Sequence, residues 1–162
     1  MNKAVNLLQQ YISNGQLDKA LIESKKFCEQ NPSDLYLKKL LSHVYYLKEN
    51  FRSAIEISEE IIKEYPNDFD CHNNIGNYYL KLEEYEKSKE FISKSKEINK
   101  EHPAPYQNQS EIYIKERDFL NALKEINICI SLHEKLSDDY LNYKSTIVLK
   151  ICLLYTSEAA DE

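Results

Sequence analysis

Four tyrosines of this chain stand 34 residues apart, and this period constrains the fold more than any other feature. They are Tyr11, Tyr45, Tyr79 and Tyr113. A second column of large side chains keeps the same spacing, with Leu17, Phe51, Tyr85 and Phe119. A column of small side chains does the same, with Ala20, Ala54, Ser88 and Ala122. Because no insertion interrupts the four units, the pattern predicts a chain built of stacked structural repeats.

Each unit is predicted to be a pair of antiparallel helices. In the second unit, apolar residues recur at helical spacing from Leu37 to Tyr45, and a second stripe begins at Phe51. The breaks within units fall at residues 14–15, 48–50 and 81–84, and Pro66 ends the second helix of its unit. Two helices approach closely only where side chains are small, as at Ser42, Gly76 and Ser110. One pair cannot bury its apolar stripe alone, so the units must stack.

This pattern resembles the tetratricopeptide repeat (TPR) family. In the third unit, the positions of its W-x-x-L-G-x-x-Y pattern hold His72, Ile75, Gly76 and Tyr79. In the second unit, the matching positions hold Lys38, Leu41, Ser42, Tyr45, Ala54 and Pro66. The chain departs from the family in having no tryptophan and in placing Leu8 where a small residue is usual. The resemblance implies an all-α fold, an α-solenoid of about nine helices wound as a superhelix.

The repeats predict one array over residues 1–151. Its repeats span residues 1–34, 35–68, 69–102 and 103–136, and residues 137–151 form the first helix of a fifth unit or a capping helix. Residues 152–162 resemble a translated sequencing adapter, which predicts a non-native tail. A natural capping helix with an acidic tail is the alternative interpretation.

Composition and motifs argue against several functional classes. The net charge is −6 and lysines are interspersed with acids, whereas nucleic-acid binders usually show a basic stripe. The four cysteines are far apart, which favours reduced thiols and a cytoplasmic protein. No signal peptide or membrane span is predicted. Phosphate-binding loops, nucleophile elbows and paired metal-binding histidines are missing, so we expect no enzyme, no cofactor and no metal site.

The resemblance implies that the first helix of each unit lines an inner groove. The predicted groove residues are Tyr36, Lys39, His43, Tyr46, Asn73, Asn74, Asn77, Gln107, Asn108 and Glu111. Asparagine recurs in one inner column, at Asn6, Asn74, Asn108 and Asn142. A carboxamide both donates and accepts hydrogen bonds, so such a column could hold a peptide backbone, as in O-GlcNAc transferase-like arrays. Solubility alone would also explain these asparagines.

A charged clamp for acidic chaperone tails is disfavoured by the same positions. The clamp requires two bases in the unit after Asn74, where this chain has Ala104 and Asn108. We therefore predict a protein–protein interaction scaffold that holds a peptide or partner segment in the groove. The alternative is the repeat region of a larger enzyme or regulator, such as a glycosyltransferase or signalling protein. Self-association is a further possibility if Tyr140, Tyr143, Ile147 and Val148 lack a neighbouring helix.

Overall fold

The computed structural model describes residues 3–132 and 138–158, without the side chains of residues 138–140 and 153–158. All nine elements in these ranges are α-helices. They are α1 Lys3–Ser13, α2 Leu17–Gln30, α3 Leu35–Leu47, α4 Phe51–Glu64, α5 Phe69–Lys81, α6 Tyr85–Ile98, α7 Ala104–Lys115, α8 Phe119–Leu132 and α9 Asp138–Glu158. The predicted all-α architecture is confirmed. Helix α9 continues into the segment assigned to a tail, whose last four residues lie outside the described ranges.

The turn inside each pair has one geometry, which explains its fixed length. A left-handed residue follows the first helix in every pair, at Gly15, Glu49, Glu83 and Arg117, with φ between 57° and 68°. In the second pair, the Glu49 N–H donates to the Tyr46 carbonyl at 2.8 Å, and the Asn50 N–H donates to the Tyr45 carbonyl at 2.9 Å. This Schellman arrangement satisfies carbonyls at the helix end. The fixed spacing of the tyrosines therefore marks the residue whose carbonyl closes the turn.

Aspartates begin two of the first helices. The Asp34 carboxylate accepts hydrogen bonds from the backbone N–H groups of Tyr36 and Leu37, and Asp68 accepts one from Cys71. These side chains satisfy donors that the first helical turn leaves without a partner. Helix α7 begins differently, after Pro103, and the Tyr106 hydroxyl donates to the Lys100 carbonyl at 2.9 Å. Lys100 occupies the position that Pro66 holds one repeat earlier, so this change of residue coincides with a different turn.

Serine hydroxyls join the two helices of a pair at their closest approach. Ser42 donates to the Ala54 carbonyl at 3.0 Å, and Ser110 donates to the Ala122 carbonyl at 2.8 Å. In the third pair the direction reverses, because α5 carries Gly76 and α6 carries Ser88, which donates to the Gly76 carbonyl at 2.6 Å. The small-residue columns therefore supply a hydrogen bond as well as space.

The core runs along the array in several clusters, as expected when each repeat contacts its neighbours. One cluster joins α4 and α5 through Ala54, Ile55, Ile75, Tyr78 and Tyr79. Leu8, the departure from the family pattern, is fully buried and packs with Leu37. None of the helices in the described ranges is both long and apolar enough to cross a membrane.

One face of helix α9 packs on helix α8. Ile147 is fully buried and Tyr143 is half-buried, and both belong to a cluster with Phe119, Ala122 and Ile126 of α8. Tyr143 and Ile147 therefore do have a neighbouring helix, because their face of α9 packs on α8. Val148 is 39% exposed, and the side chain of Tyr140 lies outside the described residues.

Candidate functional site

The first helices of successive pairs touch one another through their side chains. Gln9 of α1 donates to the Tyr36 hydroxyl of α3 at 3.3 Å. The rings of Tyr46 in α3 and Tyr78 in α5 stack, with centroids 5.2 Å apart. Asn108 of α7 donates to the Asn73 side chain of α5 at 2.9 Å. Helices α1, α3, α5 and α7 therefore form one continuous surface, which we call the first-helix face.

The first-helix face comprises the predicted groove residues Tyr36, Lys39, His43, Tyr46, Asn73, Asn74, Asn77, Gln107, Asn108 and Glu111, distributed over α3, α5 and α7. Direct contacts between units are seen for Tyr36, Lys39, Tyr46, Asn73, Asn108 and Glu111. Of the asparagine column, Asn6 and Asn142 are exposed, whereas Asn74 and Asn108 are half-buried. Whether any of these residues contacts a partner stays a prediction.

Aromatic rings dominate the α3 part of the face. The Tyr46 ring stacks with His43, at 6.2 Å between centroids, and also packs against Phe51 at 5.8 Å. The Tyr36 side chain is 49% exposed, so its ring is accessible on this face. Partial burial of the imidazole lowers the pKa of His43, which favours the neutral ring. This part of the face offers flat, uncharged surfaces.

An ion cluster ties α3 to the start of α5. The Lys39 ammonium lies 2.6 Å from Asp68 and 3.5 Å from Asp70. Burial is the largest single effect and lowers the pKa of Lys39, but the hydrogen bond to Asp68 and the charges of Asp68 and Asp70 together raise it above its usual value. Burial raises the pKa of Asp68, but the hydrogen bonds from Lys39 and the Cys71 N–H leave it below its usual range. Lys39 therefore links α3 to the start of α5 through ion pairs.

The carboxamides of the face divide into bonded and unbonded groups. Asn73 and Asn108 bond to each other, and Gln107 also has an interaction within the chain. Asn74 and Asn77 are half-buried, and within residues 3–132 and 138–152 their amides make no hydrogen bond. The free hydrogen-bonding capacity of the α5 face is therefore concentrated on these two side chains.

Lys81 contacts a predicted groove residue but was not itself among the predicted groove residues. Its ammonium lies 3.1 Å from Glu111, so it joins α5 to α7. Lys81 stands in the same inner column as Lys115, which could have indicated it from the sequence. Asp68 could also have been anticipated, because Asp34 and Asp68 occupy one column.

The histidine at the family's tryptophan position is structural. His72 is buried, and its Nε2 lies 2.9 Å from the Pro66 carbonyl, to which it donates. Its ring also packs near Phe91. Across the described side chains, no group of three His, Cys, Asp or Glu residues has an arrangement that could hold a metal ion.

Comparison with known proteins places this architecture among repeat proteins. A family model described as anaphase-promoting complex, cyclosome, subunit 3 matches residues 13–95. A comparison with curated proteins found no match.

Two solved structures illustrate the similarity in fold. TTC0263, described as a thermophilic TPR protein in Thermus thermophilus, aligns with a TM-score of 0.79 at 14% identity, covering 91% of this chain and 81% of that chain. MamA 41-end from Desulfovibrio magneticus RS-1 aligns with a TM-score of 0.72 at 13% identity, covering 98% and 95%. At these identities the likeness shows the fold alone.

Proposed function

Because the chain belongs to the family described as anaphase-promoting complex, cyclosome, subunit 3, a family of TPR-type repeats, we propose that its first-helix face holds a segment of a partner protein. TPR arrays are protein–protein interaction scaffolds. The family's description names a subunit of a complex, which supports a function in protein assembly. The proposal adds where on this array the partner lies and which groups contact it.

The observation that carries the proposal is the pair of unbonded amides on α5. Asn74 and Asn77 are half-buried, so part of their hydration is already lost, yet their amides make no bond to the described residues. Each carboxamide can accept a hydrogen bond from a peptide N–H and donate one to a peptide carbonyl. The exposed Tyr36 and the stacked His43 and Tyr46 add amphipathic contact area of the kind enriched at interfaces.

Selection from a random peptide library tests this proposal. The chain is immobilised, peptides of about 12 residues displayed on phage are selected on it, and the enriched sequences are synthesised. Their affinity is then measured by fluorescence anisotropy for the unaltered chain and for Asn74→Ala/Asn77→Ala. Losing hydrogen bonds worth about 1 kcal/mol at each site should weaken binding about 10- to 30-fold.

A matched control uses two exposed polar residues of α6, in the double variant Glu90→Ala/Ser93→Ala. This control should bind the selected peptides as the unaltered chain does, and circular dichroism should show equal helicity in all three proteins. If no peptide is enriched, or if the α5 variant binds as well as the control, the groove proposal fails.

A second candidate function is self-association through α9. Its outward face carries Leu141, Val148 and Leu149, which are 44%, 39% and 64% exposed. Three large apolar side chains on one exposed helix are a feature of association surfaces. Sedimentation velocity over a range of concentrations tests this candidate. Association should be lost in Leu141→Gln/Leu149→Gln, and a monomer at every concentration of the unaltered chain would exclude it.

A further inference from the structure

The charged groups of the first-helix face are arranged in pairs between neighbouring repeats. Lys39 contacts Asp68, which caps α5, and Asp70 of α5, and Lys81 contacts Glu111 of α7 at 3.1 Å. In each case the cation lies on one first helix and the acid lies on, or caps, the next first helix. The two lysines in these pairs, Lys39 and Lys81, are therefore already bound.

The positive and negative charges on the α3, α5 and α7 part of the first-helix face are equal in number when Asp68 is included. Lys115 is exposed and follows Lys81 by one repeat, and its charge offsets the second acid beside Lys39 in number and not by contact. With Asp68 included, the number of lysines equals the number of acids: the lysines are Lys39, Lys81 and Lys115, and the acids are Asp68, Asp70 and Glu111. Beside the Lys81–Glu111 pair, a charged ligand side chain would lose hydration next to an ion pair that is already satisfied, without gaining a counter-charge.

The groups that stay available on the same surface are neutral. Asn74 and Asn77 offer unbonded amides, and Tyr36 offers an exposed ring. His43 and Tyr46 offer a stacked pair of rings. These amides and rings can bind peptide N–H and C=O groups, uncharged polar side chains, and apolar or aromatic side chains.

From this arrangement we infer that the groove selects an extended partner segment without charged side chains along the part that contacts α3, α5 and α7. The inference rests on the proposed function and specifies the chemistry of the partner. It excludes acidic tails and basic stretches as preferred ligands. Binding should come from amide hydrogen bonds and aromatic packing, and these depend little on ionic strength.

The same phage selection tests the inference when the enriched peptides are analysed for charge. Enriched peptides should contain fewer Asp, Glu, Lys and Arg residues than the unselected library. The affinity of the selected peptides should change less than about twofold between about 50 and about 500 mM NaCl, because screening acts on charge–charge attraction. Enrichment of strongly charged peptides whose binding falls steeply with salt would overturn the inference, whereas the absence of any enriched peptide would instead refute the proposed function.

Releasing one member of an ion pair gives a second test with a gain of function. Glu111→Gln frees the Lys81 ammonium, so selection on this variant should enrich acidic peptides, and Lys81→Gln should enrich basic ones by freeing Glu111. Glu90→Gln on α6 changes the net charge as Glu111→Gln does, but away from the face, and should leave the neutral preference unchanged. Circular dichroism confirms folding of each variant. An unchanged preference in both folded groove variants would also overturn the inference.

Discussion

Gly76 lies where α5 and α6 come closest, and Gly76→Ala should destabilise the array although alanine favours helices. A Cβ atom at this position would stand 2.5 Å from Ile92 Cγ1 and 3.2 Å from both the Ile92 nitrogen and the Ser88 carbonyl oxygen. Ile92 is fully buried and β-branched, so its side chain has little freedom to move away. The helices must therefore separate by a few tenths of an ångström or more.

The magnitude follows from opposing effects. Overpacking a well-packed site costs about 1–3 kcal/mol, and separation of the helices weakens the 2.6 Å hydrogen bond from Ser88 to the Gly76 carbonyl, worth about 1 kcal/mol. Replacing glycine by alanine inside a helix returns about 1 kcal/mol. We expect a net loss of about 1–3 kcal/mol, or several degrees in Tm for a chain of this size.

Urea unfolding followed by circular dichroism measures the effect, with Asn77→Ala as the control on the same helix. Asn77 makes no described hydrogen bond, so its replacement should leave the midpoint unchanged or raise it slightly. Truncating the obstructing side chain in Gly76→Ala/Ile92→Ala should cost less than the sum of the single changes. The reasoning is refuted if Gly76→Ala raises the midpoint as Asn77→Ala does, or if the double variant is strictly additive.

Other predictions concern the turns and the Lys39 cluster. Glu83→Gly should raise the free energy of unfolding by about 0.5–1 kcal/mol, because Glu83 is left-handed at φ 61°. Gly15→Ala should lower the free energy of unfolding by a similar amount, because Gly15 is left-handed at φ 68° and no atom lies within 4 Å of the added Cβ to cause a clash as well. Equal urea midpoints in the two variants and the unaltered chain would contradict this. Asp68→Asn keeps the helix cap but removes the charge beside Lys39, so it should destabilise the chain at pH 7. Folding lowers the pKa of Asp68 and raises the pKa of Lys39, so the ion pair stabilises the chain from about pH 4 to about pH 10. This stabilisation is lost as the pH falls through the folded pKa of Asp68, or as it rises through the folded pKa of Lys39. Urea midpoints from pH 2 to pH 7 should converge at the acid end for the two proteins, and a constant difference would contradict the assignment.

The repeat architecture could be predicted because its causes recur in each unit. The turn after each first helix has the same length, so the left-handed residue returns at Gly15, Glu49, Glu83 and Arg117 even though only the first is glycine. The small-residue columns also recur, since every pair needs a close approach. The direction of each serine hydrogen bond also follows from the sequence, because it depends on whether Ser or Gly occupies the first helix.

Contacts across the first-helix face follow a different rule, and the sequence period alone does not reveal it. The period identifies residues that are equivalent, whereas a contact joins residues that are adjacent in space. Asn108 bonds to Asn73, 35 residues earlier, although its equivalent 34 residues earlier is Asn74. Lys39 and Asp70 are 31 residues apart, and Gln9 and Tyr36 are 27 apart. Each separation reflects how far one helix is displaced along its neighbour, which depends on packing over whole side chains.

This distinction changes which residues test the groove. A column of asparagines suggests a ladder in which Asn74 and Asn108 act alike. In the structure, Asn108 already donates to Asn73, so replacing Asn108 would disturb a contact between repeats as well as any contact with a partner. Asn77 belongs to a different column, but it shares with Asn74 an amide without a bond to the described residues. The pair on α5 therefore separates partner binding from array stability, which a pair chosen from the column cannot do.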